Sequence, residues 1–153
     1  MESVRLMVLE PFTKTQTWYV VFDKPRSEGF RPWRLLTGKK FAHCWMLTAA
    51  GEGVIRYEPL HWGVACYYDA VDLNSILVQL AEGDTTALLS VTVDYRLCHE
   101  YQMRGLYSCV SQLKALLGMR KCCFTITPFQ LYKRLCKQPK TIAIKPWVPY
   151  VRM

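Results

Sequence analysis

The chain has 153 residues, of which 51% are hydrophobic and 13% are aromatic, and its net charge is +8. This length and composition fit one domain with its own hydrophobic core and exclude an intrinsically disordered chain. No apolar run approaches the ~20 residues of a transmembrane helix, and the N-terminus lacks the features of a secretory signal, so we expect neither.

Strand signals occupy most of the first two thirds of the chain, and helix signals interrupt and follow them. Segments rich in β-branched and aromatic residues predict strands at residues 15–23, 40–48, 53–59, 61–68 and 86–95. Residues 24–33 predict a loop, and 33–37 a short helical turn. Periodicity and capping residues predict helices over 73–82, 109–117 and 127–136, and then an extended, proline-containing tail at 137–153. We therefore expect a single α+β domain over residues 1–153, with an antiparallel sheet, short helices on it and a core at about residues 15–136.

The helix that follows Ser108 carries a cysteine in its first turn. Ser108 is a suitable N-cap and Gly118 a suitable stop, which places Cys109 at the start of the helix. The free backbone N–H groups and the positive end of the helix dipole favour the thiolate form there. A thiolate is a nucleophile, and the neighbouring N–H groups are suited to hold an oxyanion. Cys109 is therefore the predicted nucleophile of a catalytic site.

A histidine and a glutamate upstream supply the two remaining roles of a catalytic triad. His43 lies within the second predicted strand, and a turn at residues 49–52 would place Glu58 of the third strand directly opposite it. A carboxylate beside an imidazole orients the ring and stabilises the imidazolium form. The predicted catalytic residues are therefore Cys109, His43 and Glu58, and a one-residue change of register would turn Glu58 to the other face. The alternative third members are Asn74, Asp94 and His61.

These segments resemble the circularly permuted papain-like proteins. The stretch from Lys39 to Trp45 resembles their histidine strand, and residues 107–118 resemble their nucleophile helix. The segment 127–133, which begins Thr-Pro-x-x-Leu, resembles the helix that follows the nucleophile helix in NlpC-type cell-wall peptidases. In this chain the histidine precedes the cysteine, as in the permuted group, whereas ordinary papain-like enzymes have the opposite order. The bulky Trp45 close after the histidine departs from the family pattern.

The resemblance implies a permuted papain-like or NlpC-type fold and a thiol-dependent hydrolase that cleaves amide bonds, for example in bacterial cell-wall peptide. Cys109 would attack the carbonyl and form a thioester, while His43 would take its proton and return it to the leaving amine. The Cys109 backbone N–H is the expected first oxyanion donor, and Gln102 is a candidate for the second. Acyl transfer through the same thioester stays open. Small proteins of this type occur in tailed bacteriophages, which implies the host cytoplasm or the phage virion as the location.

Two further functions are compatible with the sequence. A phage virion structural or assembly component would retain the fold with an idle or auxiliary site and would bind other virion proteins. A nucleic-acid-associated basic protein would use the lysines and arginines concentrated at residues 24–40 and 120–145. The same basic residues also fit a solvated surface without an anionic partner.

The seven cysteines favour reduced thiols in a cytosol-like compartment, because their number is odd and they are scattered along the chain. No C-x-x-C pair occurs, so we predict no metal and no cofactor. A zinc site that draws on Cys44, Cys98 or His99 is the alternative, and no recognised spacing supports it.

Overall fold

The computed structural model describes residues 15–24, 41–60, 63–83, 87–95, 108–119 and 124–147. The predicted helical turn at 33–37 and nearly all of the predicted loop before it lie outside these ranges. Six strands and three helices are present in the described residues: β1 (Thr15–Asp23), β2 (His43–Ala50), β3 (Gly53–Leu60), β4 (Gly63–Asp69), α1 (Leu73–Glu82), β5 (Ala87–Asp94), α2 (Cys109–Leu116), α3 (Pro128–Leu135) and β6 (Thr141–Lys145). Within the same ranges, no helix has both the length and the apolar character that crossing a bilayer requires.

The strands form one antiparallel sheet in the order β4-β3-β2-β1-β5-β6. This architecture confirms the predicted α+β class with an antiparallel sheet. The tail that we expected to be extended contributes β6, which pairs with β5 at residues 141–145. The sheet therefore extends beyond residues 15–136, where the sequence placed the core.

Both faces of the sheet are covered by helices, and alternation along β1 assigns its side chains to one face or the other. Trp18, Val20 and Phe22 pack with residues of α2 and α3 in the larger core, and we call this side the α2 face. Val21 belongs to a smaller cluster that α1 covers, on what we call the α1 face. The helix that carries Cys109 thus lies on the more deeply buried side of the sheet.

All three helices begin at the predicted capping residues. The side chains of these residues accept hydrogen bonds from backbone N–H groups three positions later, and the residues are Asp72, Ser108 and Thr127. The C-terminal end of α2 is held by a relay in which the Trp18 indole N–H donates to the Tyr95 hydroxyl at 2.6 Å. That hydroxyl donates to the carbonyl of Leu116 at 3.1 Å. The relay fixes α2 against β1 and β5, and this sets where its first turn lies.

The β2–β3 hairpin corrects one part of the predicted site. Gly51 has a φ of +60°, which closes a two-residue turn, so Ala50 pairs with Gly53 and β2 extends two residues beyond its predicted end at residue 48. The predicted pairing of His43 with Glu58 is therefore wrong by two residues. The last observed pair is Met46 with Tyr57, and the next step of the same register places Glu58 opposite Trp45. Because the error is an even number of residues, Glu58 stays on the predicted face.

Candidate active site

The first turn of α2 is built to hold Cys109 in a fixed position. The Ser111 backbone N–H donates to the Ser108 hydroxyl at 3.1 Å, and the Ser108 backbone N–H donates to the Ser111 hydroxyl at 2.9 Å. This reciprocal capping box satisfies two backbone donors at the start of the helix. Val110 and Leu113, which flank this turn, are buried in the core on the α2 face. Capping and packing together fix the direction in which the Cys109 sulfur points.

The structure brings Cys109 together with the first two residues of β2. The β2–β3 pairing ends at Met46 and Tyr57, so His43 and Cys44 lie beyond it, at the end of the sheet. The Cys109 sulfur forms hydrogen bonds with the His43 imidazole and with the thiol and the backbone N–H of Cys44. A nucleophile candidate and a base candidate that are far apart in the sequence are thus direct neighbours.

These contacts favour the thiolate form of Cys109. The hydrogen bond from the Cys44 thiol acts most strongly, and with the hydrogen bond and charge of His43 it outweighs the opposing effect of burial. The pKa of Cys109 falls from 9.0 to about 4. Hydrogen bonds and positive charge act in this way because they stabilise the ionised sulfur and not the neutral thiol. Near neutral pH, Cys109 is therefore an ionised, nucleophilic thiolate.

The pKa values of His43 and Cys44, the two partners of Cys109, are raised, whereas the pKa of Cys109 is lowered. Burial alone lowers the pKa of His43, but the hydrogen bond and the charge of Cys109 outweigh it, and the net pKa lies above 6.5. The Cys44 thiol is fully buried, and this burial, followed by its hydrogen bond to Cys109, raises its pKa well above 9.0. Cys44 is consequently a neutral donor beside the Cys109 thiolate, and His43 holds its proton more tightly than a free imidazole does.

Asp23 is a neighbour of His43 that the sequence did not reveal. It is the last residue of β1 and pairs directly with His43 across the β1–β2 ladder. The Trp45 indole N–H donates to a carboxylate oxygen of Asp23 at 2.8 Å, which holds the carboxylate in place. The negative charge of Asp23 raises the pKa of His43. Asp23 therefore has the position and charge of an orienting third residue, and Trp45 fixes its carboxylate.

The other predicted third members are less favourably placed or lie outside the described residues. The charge of Glu58 also raises the pKa of His43, but it contributes less than that of Asp23. Asn74 is exposed on α1, which packs on the α1 face of the sheet, whereas Cys109 belongs to the helix on the α2 face. Asp94 pairs with Thr15, at the end of β1 that is far from His43. His61, with the oxyanion candidate Gln102, lies outside the described ranges.

Gln112 is a polar side chain of α2 that the sequence analysis overlooked. It is fully buried, and neither its amide nitrogen nor its amide oxygen has a hydrogen-bond partner in the described part of the chain. It follows Cys109 by three residues, so the two side chains are neighbours on the helix surface. Helical side chains lean towards the N-terminus, which directs the Gln112 amide towards the turn that holds Cys109. Its amide nitrogen is therefore an unused hydrogen-bond donor one helical turn from Cys109.

Other candidate sites are weaker. A cavity of about 450 Å³ lies between the sheet and α1, on the face opposite α2, with Trp45 and Arg56 in its wall. A second cavity, of about 670 Å³, adjoins the ends of α2 and α3 and has Lys133, Arg134 and Lys137 in its wall. The described ranges contain no cluster of three or more histidine, cysteine or acidic side chains arranged to hold a metal ion. Cys98 and His99, named above as possible zinc ligands, lie outside those ranges.

Replacing Asp23 by asparagine tests whether its charge acts on His43. We expect the pKa of His43 to fall from its raised value, because the imidazolium loses a nearby negative charge. The asparagine oxygen can still accept from the Trp45 indole, so the local structure should be retained. Histidine titration by NMR measures the change, with Glu58→Gln as the matched control that should shift the pKa less. An unchanged or higher pKa in Asp23→Asn would contradict this role.

Comparisons with protein-family models, with curated proteins and with solved structures find no match for this chain. The functional conclusion therefore depends on the arrangement of Cys109, His43 and their neighbours.

Proposed function

We propose that this protein is a thiol-dependent hydrolase that cleaves amide bonds through a Cys109 thioester. The observation that carries the proposal is the hydrogen bond between Cys109 and His43 at the start of a capped helix, where the pKa of Cys109 is lowered and that of His43 is raised. A low thiol pKa beside a histidine of raised pKa is the pattern that activates cysteine nucleophiles. A purely structural cysteine needs neither the ionised state nor the imidazole partner.

The reaction follows from the positions of these groups. The Cys109 thiolate adds to the substrate carbonyl, and the developing oxyanion is held by the Cys109 backbone N–H at the start of the helix. The His43 imidazolium gives its proton to the amine, which leaves as the thioester forms. Neutral His43 then takes a proton from water, and the resulting hydroxide adds to the thioester. Release of the acid restores both the Cys109 thiolate and the imidazolium.

Gln112 is the second oxyanion donor in this proposal. Its amide is buried without a partner and lies one helical turn from the nucleophile. A buried amide left unpaired costs free energy in the resting protein, and a substrate oxygen would supply the missing hydrogen bond.

The resemblance to permuted papain-like proteins supports the same reaction class. In this chain, as in that group, the histidine comes from a strand that precedes the nucleophile helix, and this helix packs on the sheet. Peptide amide bonds, with bacterial cell-wall peptide as the first candidate, are the proposed substrates. A phage source and a function in the virion or the host cytoplasm belong to the same proposal.

The pKa shifts predict a bell-shaped pH dependence of amide turnover. As the pH falls through about 4, Cys109 becomes protonated and the nucleophile is lost. As the pH rises through the His43 pKa, which lies above 6.5, the proton donor for the leaving amine is lost. Activity should therefore be highest between these two limits.

An activated ester tests the proposal without knowledge of the natural substrate. At pH 6, para-nitrophenyl acetate should release nitrophenol in a burst and leave an acetyl group on Cys109, which peptide mass spectrometry detects. Cys109→Ala should lack both the burst and the adduct, whereas Cys136→Ser, which changes an exposed cysteine, should retain them. Digestion of cell-wall fragments, followed by detection of new amine termini, then tests the substrate class. An acetyl group on any other residue in place of Cys109 would refute the proposed nucleophile.

Replacing Gln112 by leucine separates a function in catalysis from one in folding. Because the change removes an unpaired buried amide, the free energy of unfolding should rise by about 1–3 kcal/mol. Turnover should nevertheless fall by about 10²–10³-fold through loss of an oxyanion donor. Denaturant unfolding and steady-state kinetics measure the two effects, and Gln79→Leu on the exposed surface of α1 is the control. A more stable variant with full activity would exclude Gln112 from the oxyanion site.

A further inference from the structure

The site contains a second thiol that the proposed hydrolysis uses only as a hydrogen-bond donor. Cys44 is buried in the core on the α2 face and Cys109 packs against the same core, where a side-chain hydrogen bond joins the two thiols. Both cysteines are reduced in this structure. They belong to different elements, β2 and α2, which pack against each other. From this juxtaposition we propose that Cys44 and Cys109 form a reversible disulfide when a hydroperoxide oxidises Cys109, which makes the pair a redox switch.

The two thiols differ in the properties that decide which one reacts first. Cys44 is fully buried, whereas Cys109 is partly exposed and is open to a small oxidant. Oxidation by peroxides requires the thiolate form, which only Cys109 adopts near neutral pH, since its pKa is about 4 and that of Cys44 is raised. Cys109 is therefore the thiol that is oxidised, and Cys44 is the thiol that resolves the product.

The chemistry balances with hydrogen peroxide as the oxidant. The Cys109 thiolate attacks one peroxide oxygen, the O–O bond breaks, and the departing hydroxide takes the His43 proton to leave as water. Cys109 is now a sulfenic acid. The Cys44 sulfur attacks the Cys109 sulfur, the S–O bond breaks, and the hydroxyl leaves with the Cys44 proton as a second water. The two thiols have together lost two electrons, which the peroxide has gained.

Disulfide formation removes the nucleophile and protects it from further damage. A sulfenic acid without a nearby thiol proceeds to the sulfinic acid, which is not reversible by ordinary thiols. A disulfide with Cys44 stops this progression and is reversed by a reducing dithiol. Formation of the disulfide does not depend on the proposed hydrolase function; only its effect on turnover does.

Peptide mapping of the intact protein tests the proposal directly. Trypsin cleaves after Lys40, Arg56, Arg104 and Lys114, so Cys44 and Cys109 fall on separate peptides that hold no other cysteine. The reduced full-length protein is treated with hydrogen peroxide, alkylated and digested without reduction. We expect the peptide pair 41–56 and 105–114, joined by one disulfide, as the main oxidation product, and its loss after treatment with dithiothreitol.

Variants of the buried thiol supply the controls. In Cys44→Ser, whose hydroxyl keeps a hydrogen-bond donor beside Cys109, Cys109 sulfenic acid trapped by dimedone should increase roughly tenfold over the wild type. Cys136→Ser, which changes an exposed cysteine, should behave as the wild type. Pairing of Cys109 with another cysteine, or equal amounts of trapped sulfenic acid with and without Cys44, would overturn the proposal. The disulfide is detected by peptide mass and needs no turnover. Absence of the disulfide would therefore refute the redox switch alone, and failure of the ester assay would refute the hydrolase function alone.

Discussion

Substitution of His43 by alanine is expected to slow amide turnover by about 10²–10⁴-fold, the usual contribution of a positioned acid–base group. The Cys109 thiolate loses one of the interactions that stabilise it, so the pKa of Cys109 rises from about 4 towards 9.0. The leaving amine also loses its proton donor. His99→Ala is the control, since that histidine was assigned no function in catalysis.

Comparison of an amide with an activated ester separates these two losses. Nitrophenolate leaves without a proton, so the ester reaction of His43→Ala should recover at a pH high enough to ionise the thiol. Cleavage of a peptide amide needs the proton donor at any pH and should stay slow. Equal recovery of both reactions at high pH would show that His43 only ionises the cysteine and does not protonate the leaving group.

Substitution of Phe22 by alanine is expected to destabilise the fold by about 3–5 kcal/mol. Phe22 is fully buried, and its ring lies 5.2 Å from that of Phe41 and 5.5 Å from that of Tyr132, measured between centroids. Since domains are typically stable by ~5–15 kcal/mol, this loss is a large part of the total. Phe22 precedes Asp23 and pairs with Cys44, so the change removes packing directly beneath the proposed site.

Chemical denaturation of Phe22→Ala and of a matched variant measures this effect. Phe124 is 87% exposed, so Phe124→Ala removes the same side chain from a solvated position and should change stability by only about 0.5 kcal/mol. Similar losses of unfolding free energy in the two variants would contradict the claim that the packing around Phe22 stabilises the fold.

Local signals predicted the secondary structure well because they act within a few residues. The caps Asp72, Ser108 and Thr127 each precede an apolar helical pattern, and the helices begin where these residues predict. The strands β1 and β5 are rich in β-branched residues and lie close to their predicted ranges. The β2–β3 register was harder, because a two-residue turn closed by Gly51 is difficult to distinguish from a longer turn in the sequence.

The site residues that the sequence did not predict are brought together by contacts between segments that are distant in the sequence. Asp23 becomes a neighbour of His43 only through the β1–β2 pairing, across residues that carry no pairing signal. Cys44 follows His43 directly, but its contact with Cys109 requires α2 to pack over the start of β2. Gln112 carries no site signal in the sequence, and only the structure shows that this polar side chain is buried. Alternation along β2 was the one available signal for Cys44, since it places the thiol on the core side.

The ionisation of Cys109 is the central claim, and alkylation kinetics measured against pH test it most directly. The reduced protein is treated with iodoacetamide between about pH 3 and pH 10, a range that spans the shifted and ordinary thiol pKa values. The peptide 105–114 then reports the modification of Cys109, with the exposed Cys66 as an internal reference. We predict a midpoint near pH 4 for Cys109, which rises in His43→Ala. A midpoint near 9.0, unchanged by that substitution, would contradict the account.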